Sequence, residues 1–425
     1  MKKLLFSLAF LALTAHAQKW DYDFIVPDNG SFDEAIQAAN KRCDKETRFR
    51  IFVKAGNYVT VGDDDTLKTT VDGKDIRFKS PIVTLSAPNT SIIGEDYNST
   101  CIENRPTYEG IGITSTIFLK GCDNTYIQDL QFYCHLINNA NPFAGRAVAL
   151  NERNCKNNVF KNVFLNSTQD TYWTNDGGNT YLQNCKIAGT VDFICGGGTI
   201  FFDNCDIILV KRQNYEKGDI ITAPATPENQ QYGYVFSKCK ILPQDGENVK
   251  FHLGRPWKFK PKVEFIDCQF FTLPLPEGWT NMHGTIPGRF GEYNSIDKDG
   301  KTLDLSQRRT VFEGTDKKLV KIDYNPVIQE EELERFNINN VFNGWNPRDI
   351  AQQIDPPTLT AKNNMLKWAD IPNAGTYAVY MNNKIIAFTK QNQFKINNPS
   401  ASSIFYIRAA NQMGGLGKPS NSITL

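Results

Sequence analysis

Histidine is scarce in this chain: four among 425 residues, at positions 16, 135, 252 and 283. No His, Cys and acidic side chains recur at metal-ligand spacing, so no resident metal is expected, and no cofactor. Charge of one sign is lacking too. Lys plus Arg number 47 against 46 Asp plus Glu, a net charge of +1. That balance gives no electrostatic reason to expect a nucleic-acid or anionic-membrane partner. Past the N-terminus no apolar run reaches the ~18 residues of a membrane helix. With 40% hydrophobic and 12% aromatic residues, the composition is also wrong for disorder. What remains is a globular chain of two domains, or one long domain with an appendage.

The first 17 residues read as a secretory signal. Lys2 and Lys3 are basic, Leu4 to Thr14 are apolar, and Ala15-His16-Ala17 is a small-x-small cleavage site. The mature chain is expected to start at Gln18, exported to the periplasm or secreted. Ten cysteines in an exported chain ordinarily suggest disulfides. Here they all lie between Cys43 and Cys268 and several recur in a near-repeat. Packed thiols are the expectation, since free Cys behaves as a small buried hydrophobe.

Six segments align without gaps: Tyr126–Phe132, Val159–Leu165, Tyr181–Ile187, Phe201–Ile207, Val235–Ile241 and Glu264–Phe270. Their starts are 33, 22, 20, 34 and 29 residues apart. Each alternates through a Cys, Leu or Val and a final apolar residue, which is strand periodicity with one face inward. A minimum period near 20 with variable excess predicts a solenoid carrying inserted loops. Propeller blades of roughly 40–50 residues are too long for it, and a leucine-rich pattern is absent. A right-handed parallel β-helix fits best, with Cys185, Cys205, Cys239 and Cys268 in one interior column.

Ahead of the repeat, Ser31 to Asn40 reads as a short amphipathic helix with Ser31 as N-cap, a cover for the solenoid's open end. Arg50 to Tyr58 reads as the first strand and a turn, and Asp63-Asp64-Asp65 as a solvated turn. Ile328 to Ile354 begins with a charged helix-like run expected to pack outside the barrel. Asp355-Pro356-Pro357 is a linker signal. Beyond it, Leu366–Ala369, Tyr377–Tyr380, Lys384–Phe388 and Ile404–Ala409 alternate as strands. They predict a small β-sandwich over 355–425, with Trp368, Tyr377 and Tyr406 in its core. The expected domains are therefore 18–354 and 355–425 of an all-β chain.

Asp170 and Asp192 each fall eleven residues into a repeat. If one coil spans that 22-residue interval, the two carboxylates stack within about 5 Å, with Gln169 alongside. Carboxylates that close do not ionise independently, so one pKa should rise and the other fall, separating an acid/base from a nucleophile. A solvated pair on an outer face is an equal alternative on this arithmetic. Phe193 and Trp173 are aromatic neighbours, and Leu253-Gly-Arg-Pro-Trp257 lies on a later coil. Arg255 can hold a carboxylate ionised through a forked ion pair, or form a surface pair instead. Trp257 can face a sugar, or fill the core.

Several motifs resemble those of pectin methylesterases, in that family's order. Gln169-Asp-Thr171 resembles its Gln-Asp-Thr, and Gly189-Thr-Val-Asp-Phe-Ile-Cys-Gly196 its Gly-Thr-Val-Asp-Phe-Ile-Phe-Gly. Leu253-Gly-Arg-Pro-Trp257 is identical to a late motif, and Arg146-Ala-Val-Ala-Leu150 resembles Gln-Ala-Val-Ala-Leu. The Ser31 helix and Gly56-Asn-Tyr58 match its opening. The resemblance covers roughly residues 21–345 and implies a right-handed parallel β-helix of the pectin-lyase type. More weakly, the tail from about 356 resembles a fibronectin type III domain.

The resemblance implies hydrolysis of galacturonate methyl esters in pectin, without cofactor, by a chain expected to be monomeric. It makes Asp192 the nucleophile, Asp170 the general acid/base, Gln169 an oxyanion-stabilising amide and Arg255 the partner of Asp192. Trp257 becomes a sugar contact, with Trp173 and Phe193 nearby. Three positions depart from the pattern. Arg146 replaces a Gln at the oxyanion; it donates but cannot accept, and can clamp a free carboxylate on a neighbouring sugar. Cys195 replaces a Phe, and Thr60 stands where Glu is frequent. These departures bear on the substrate more than on the reaction, so altered specificity is the expectation, with Arg146 contacting substrate. Three rivals share the fold: a polygalacturonase, whose Gly-His-Gly is absent here, a pectate lyase, and a pectin-binding protein without turnover.

Overall fold

The computed structural model describes residues 18–425 apart from 138–144, 175–176, 213–217 and 398–401. The signal-like segment 1–17 lies outside the described residues. The chain divides into two compact units, one of Tyr22–Gln352 and one that joins residues 18–21 to 353–425. No helix among the described residues is long and apolar enough to cross a membrane.

The larger unit is a stack of parallel coils. Register pairs Tyr126 with Val159, Val159 with Tyr181, Tyr181 with Phe201, Phe201 with Val235, and Val235 with Glu264. The six aligned segments therefore sit one above another. Within each, a left-handed residue turns the chain: Asp129, Asn162, Asn184, Asn204, Lys238 and Asp267 all have φ between 50° and 58°. Asn and Asp tolerate that region better than other non-glycine residues, which explains their recurrence at this corner. The next residue (Leu130, Val163, Cys185, Cys205, Cys239 or Cys268) is buried in the core.

All ten cysteines are free. The four column thiols each donate to a backbone carbonyl on the preceding coil: Cys185 to Phe160 (3.5 Å), Cys205 to Leu182 (3.6 Å), Cys239 to Phe202 (3.4 Å) and Cys268 to Phe236 (3.6 Å). Beside them Phe202, Phe236 and Phe265 stack nearly parallel, with centroids 4.3 and 4.4 Å apart. Burying each such ring contributes roughly 1.5–3 kcal/mol, so identical side chains in register form the spine of the solenoid.

The Phe32–Lys41 helix caps the stack. Its capping box is complete: Ser31 Oγ accepts from the Glu34 N–H and the Ser31 N–H donates to the Glu34 carboxylate. Phe32, Ala35, Ile36 and Ala39 form its buried stripe. One feature departs from the sequence reading and two refine it. Strand Phe24–Val26 precedes the one at Phe49–Val53 and pairs with it, so the first strand lies earlier than expected. The three aspartates at 63–65 lead into an antiparallel hairpin, Thr66–Val71 with Lys74–Lys79. The run after Ile328 is three short helical pieces, Glu330–Phe336, Ile338–Val341 and Pro347–Ile350. They are pinned to the coils by Lys161 Nζ on the Ala351 carbonyl (2.6 Å) and by Arg348 on Asp203.

In the smaller unit, antiparallel strands Thr360–Lys362, Met365–Lys367 and Gln393–Lys395 make one sheet. Thr376–Met381, Lys384–Thr389, Ile404–Ala410, Leu416–Pro419 and Ile423–Thr424 make another. Trp368 and Tyr377 are in its core, together with Leu366, Phe405 and Ile407. Tyr406 is not: alternation puts its neighbours inward and leaves it stacked on Tyr380, centroids 4.5 Å apart.

Candidate active site

A seven-stranded parallel sheet carries the site, its strands succeeding one another coil by coil from Val83–Leu85 to Phe251–Gly254. Asp170 precedes the strand Tyr172–Thr174, and Asp192 lies within the strand Val191–Gly196 on the next coil. The Asp170 N–H donates to the Val191 carbonyl (3.2 Å), which places the two aspartates side by side on adjacent coils. Both are left-handed, φ 62° and 50°, and the register with the following strand slips between Val191 and Ile194. That kink leaves Asp192 outside the core cluster in which Phe193 and Ile194 pack.

The kink also corrects an expectation. Phe193 does not face the cleft; it is fully buried in the solenoid core, pressed over Gly189, where an added Cβ would lie 2.2 Å from the Phe193 Cβ.

Arg255 follows the strand Phe251–Gly254, its N–H on the Thr222 carbonyl (2.9 Å). From there its guanidinium grips Asp192 with both arms, Nε to Oδ1 at 2.8 Å and Nη2 to Oδ2 at 2.5 Å. Both aspartates are nearly buried, at 5% and 4% exposure. Burial pushes Asp170 up to about 8, with the charge of Asp192 adding to the rise. Burial also raises Asp192, against the opposing pull of Arg255. Asp192 is thus raised, not depressed as the spacing argument had it, because loss of solvent outweighs the ion pair. Asymmetry survives nonetheless. Arg255 holds both oxygens of Asp192, so the proton the pair shares belongs on Asp170.

Gln169 lies half-buried beside them, its backbone bridged to Arg146 on the preceding coil. Among the described residues its side-chain amide has no hydrogen-bond partner. Arg146 does not reach into the pair; it turns to Glu109, Nη2 to Oε1 at 2.8 Å, with its side chain 47% exposed. Its charge is still felt at Asp170. Trp173 is half-buried with the Arg153 guanidinium 5.4 Å from its ring, and Trp257 is half-buried under Lys258 Nζ at 4.6 Å.

Sequence reasoning missed four groups. Glu109 pairs with Arg146 from 37 residues away. Arg212, itself paired with Asp219 at 2.5 Å, and His283 both act electrostatically on Asp192. Cys195, on the strand of Asp192, also bears on the ionisation of Asp170. Only Cys195 carried a signal, as a departure inside a motif. Among the described residues no group of three or more His, Cys, Asp and Glu is disposed to hold a metal.

The family model described as pectinesterase matches residues 26–326. A curated pectinesterase of Phaseolus vulgaris is 28% identical over 346 residues, covering 78% of this chain and 52% of that protein. The chain spans 30% and 52% of the lengths of the first two curated relatives it matches. Among solved structures, a pectin methylesterase from Erwinia chrysanthemi superposes with a TM-score of 0.60 at 21% identity, over 77% of this chain and 99% of that one. A pectin methylesterase variant in complex with a hexasaccharide gives 0.58 at 20%, over 77% and 99%.

Proposed function

This chain belongs to the pectinesterase family, and from that premise we propose that it hydrolyses methyl esters of galacturonate units in pectin, releasing methanol. One observation carries the reading: two buried carboxylates on adjacent coils, only one of them gripped by an arginine fork. An ionised carboxylate beside a protonated one is the pairing that acyl transfer needs.

In the proposed reaction, an Asp192 oxygen attacks the ester carbonyl and the Gln169 amide donates to the tetrahedral oxyanion. The ester C–O bond breaks, and the departing methoxide takes the proton of Asp170 and leaves as methanol. Asp192 is now joined to the sugar carboxyl as an anhydride. Water attacks the acyl carbon and loses its proton to Asp170, and Asp192 leaves as the carboxylate, held again by Arg255. The free galacturonate is released and both aspartates regain their starting states.

Arg146 is the proposed specificity element: its exposed guanidinium at the cleft edge suits a free carboxylate on a neighbouring sugar. Trp257 and Trp173 are the proposed sugar contacts. The relative solved with a hexasaccharide supports an oligosaccharide-sized substrate. Pectin is a cell-wall polymer, so the reading goes with export, and we propose a fibronectin type III-like role of spacer for the β unit at 353–425.

The test is methanol release from a panel of methyl-esterified pectins. The isosteric Asp192→Asn variant should lose at least about a thousandfold in kcat with thermal unfolding little changed. Activity within tenfold of wild type would remove Asp192 from the nucleophile role. Cleaved chains without methanol would point to the hydrolase or lyase, and binding without either product to a protein that kept only the cleft.

A further inference from the structure

Two buried thiols outside the interior column meet each other. Cys122 follows the strand Ile117–Lys120, and Cys155 follows Leu150–Arg153, which pairs with it on the next coil. Both strands belong to the seven-stranded sheet that carries the site. Their parallel register sets Leu119 beside Glu152 and Lys120 beside Arg153. It continues past the strand ends: the Gly121 N–H donates to the Arg153 carbonyl and the Asn124 N–H to the Lys156 carbonyl, both at 2.8 Å. Cys122 therefore lies directly opposite Cys155. Their sulfurs are 3.6 Å apart and hydrogen-bonded, and the two residues are 0% and 1% exposed.

In the column each thiol donates to a backbone carbonyl of the preceding coil. Cys155 also reaches such a carbonyl, that of Leu119 at 3.2 Å, but the Cys122 thiol has Cys155 itself as its partner. Adjacent coils are ~4.8 Å apart. That spacing falls within the ~4.4–6.8 Å between the Cα atoms of disulfides, so the sulfurs can close to about 2.05 Å without moving the backbone. The hydrogen bond from Cys122 holds the Cys155 thiol below its ordinary range, whereas burial pushes Cys122 up. Cys155 is thus the first of the two to ionise and attack.

We propose that Cys122 and Cys155 are a site of disulfide formation, a covalent link between adjacent coils that forms when the folding chain meets an external disulfide. An exported chain meets such an oxidant. The Cys155 thiolate attacks one sulfur of the external disulfide, whose S–S bond breaks and releases one thiolate. Cys122 then gives up its proton, attacks the Cys155 sulfur and releases the second. One S–S bond forms in the chain, and the oxidant leaves as two thiols, carrying two electrons and the two protons. Because both sulfurs are buried, the exchange takes place before the coils close over them. The bond spans 33 residues and restricts the unfolded chain, so the oxidised protein is the more stable form.

The experiment refolds the reduced full chain in a buffer of oxidised and reduced glutathione, with Cys122→Ala and Cys155→Ala beside wild type. The products are unfolded without reductant, their remaining thiols are alkylated, and the peptides are mapped by mass. Wild type should yield the Cys122 and Cys155 peptides joined, lighter by two hydrogens, with the column cysteines alkylated. Its melting temperature should fall by about 3 °C or more on adding dithiothreitol, and neither variant should show that fall. Where the chain does not refold, the same mapping is made on chain exported into the oxidising periplasm of a bacterial host. If one variant fails to fold, the other is read against wild type. Alkylated Cys122 and Cys155 in the wild-type product overturn the proposal. So does a link within the column, such as Cys185 to Cys205, in place of this one, or a reductant-sensitive melting temperature that persists in both variants.

Discussion

At the scale of single residues, the site is a place where stability is given up for chemistry. Asp170 keeps its proton in the folded chain to about pH 8, far above an ordinary aspartate. Folding therefore takes up a proton between the two values. The stability this provides is present at acid pH and is lost as pH rises towards 8. Asp170→Asn, which is neutral throughout, should melt a few degrees above wild type at pH 8, and the gap should close towards pH 4. A gap that ignores pH would mean that Asp170 is not the buried acid described. Arg146 belongs to the same scale. Its pairing with Glu109 turns the guanidinium away from Asp170 and Asp192, so the proposed role should show in substrate choice. Arg146→Gln should change the ratio of rates on highly esterified and partly de-esterified pectin by at least about fivefold, the effect of one charged contact; an unchanged ratio removes it as a specificity element.

At the scale of elements, the coil is a repeated solution to one packing problem. A left-handed residue makes each corner, Asn or Asp at five of the six aligned segments and Lys238 at the other, and a thiol, Leu or Val follows into the core. The corner shows only in the backbone angles, whereas the inward position was readable from the alternation of each segment. Its consequence is testable with a thiol reagent. In the native chain Cys43, which is exposed, and more slowly Cys101 should react. The eight buried cysteines should react only on unfolding. Protection lost at Cys185, Cys205, Cys239 and Cys268 without unfolding would contradict the interior column. Less readable were Phe24–Val26 and the hairpin at 66–79. One is a three-residue strand made by its partner, and the other is an amphipathic ribbon whose residues are polar on the exposed side.

At the scale of the whole molecule, every residue proposed for the reaction lies within Tyr22–Gln352, and the second unit has its own core around Leu366, Tyr377, Phe405 and Ile407. Leu366→Ala removes a fully buried side chain there and should cost that unit about 2–5 kcal/mol. Methanol release at 25 °C should stay at the wild-type rate, with the loss visible in calorimetry. A parallel loss of activity would tie the second core to the cleft.

By itself the sequence determined the repeat, the inward column, and the spacing that stacks Asp170 on Asp192. Each depends on residues a few positions apart, or on a coil without insertions. Tertiary structure alone decided which groups meet them. Arg255 reaches Asp192 across 63 residues and Arg146 finds Glu109 across 37. Loops of unequal length separate those partners, so no periodicity carries them. It also decided that Phe193 turns into the core beside Asp192, which Arg255 holds. That reversal is made by a kink which only pairing with the neighbouring coils holds in place.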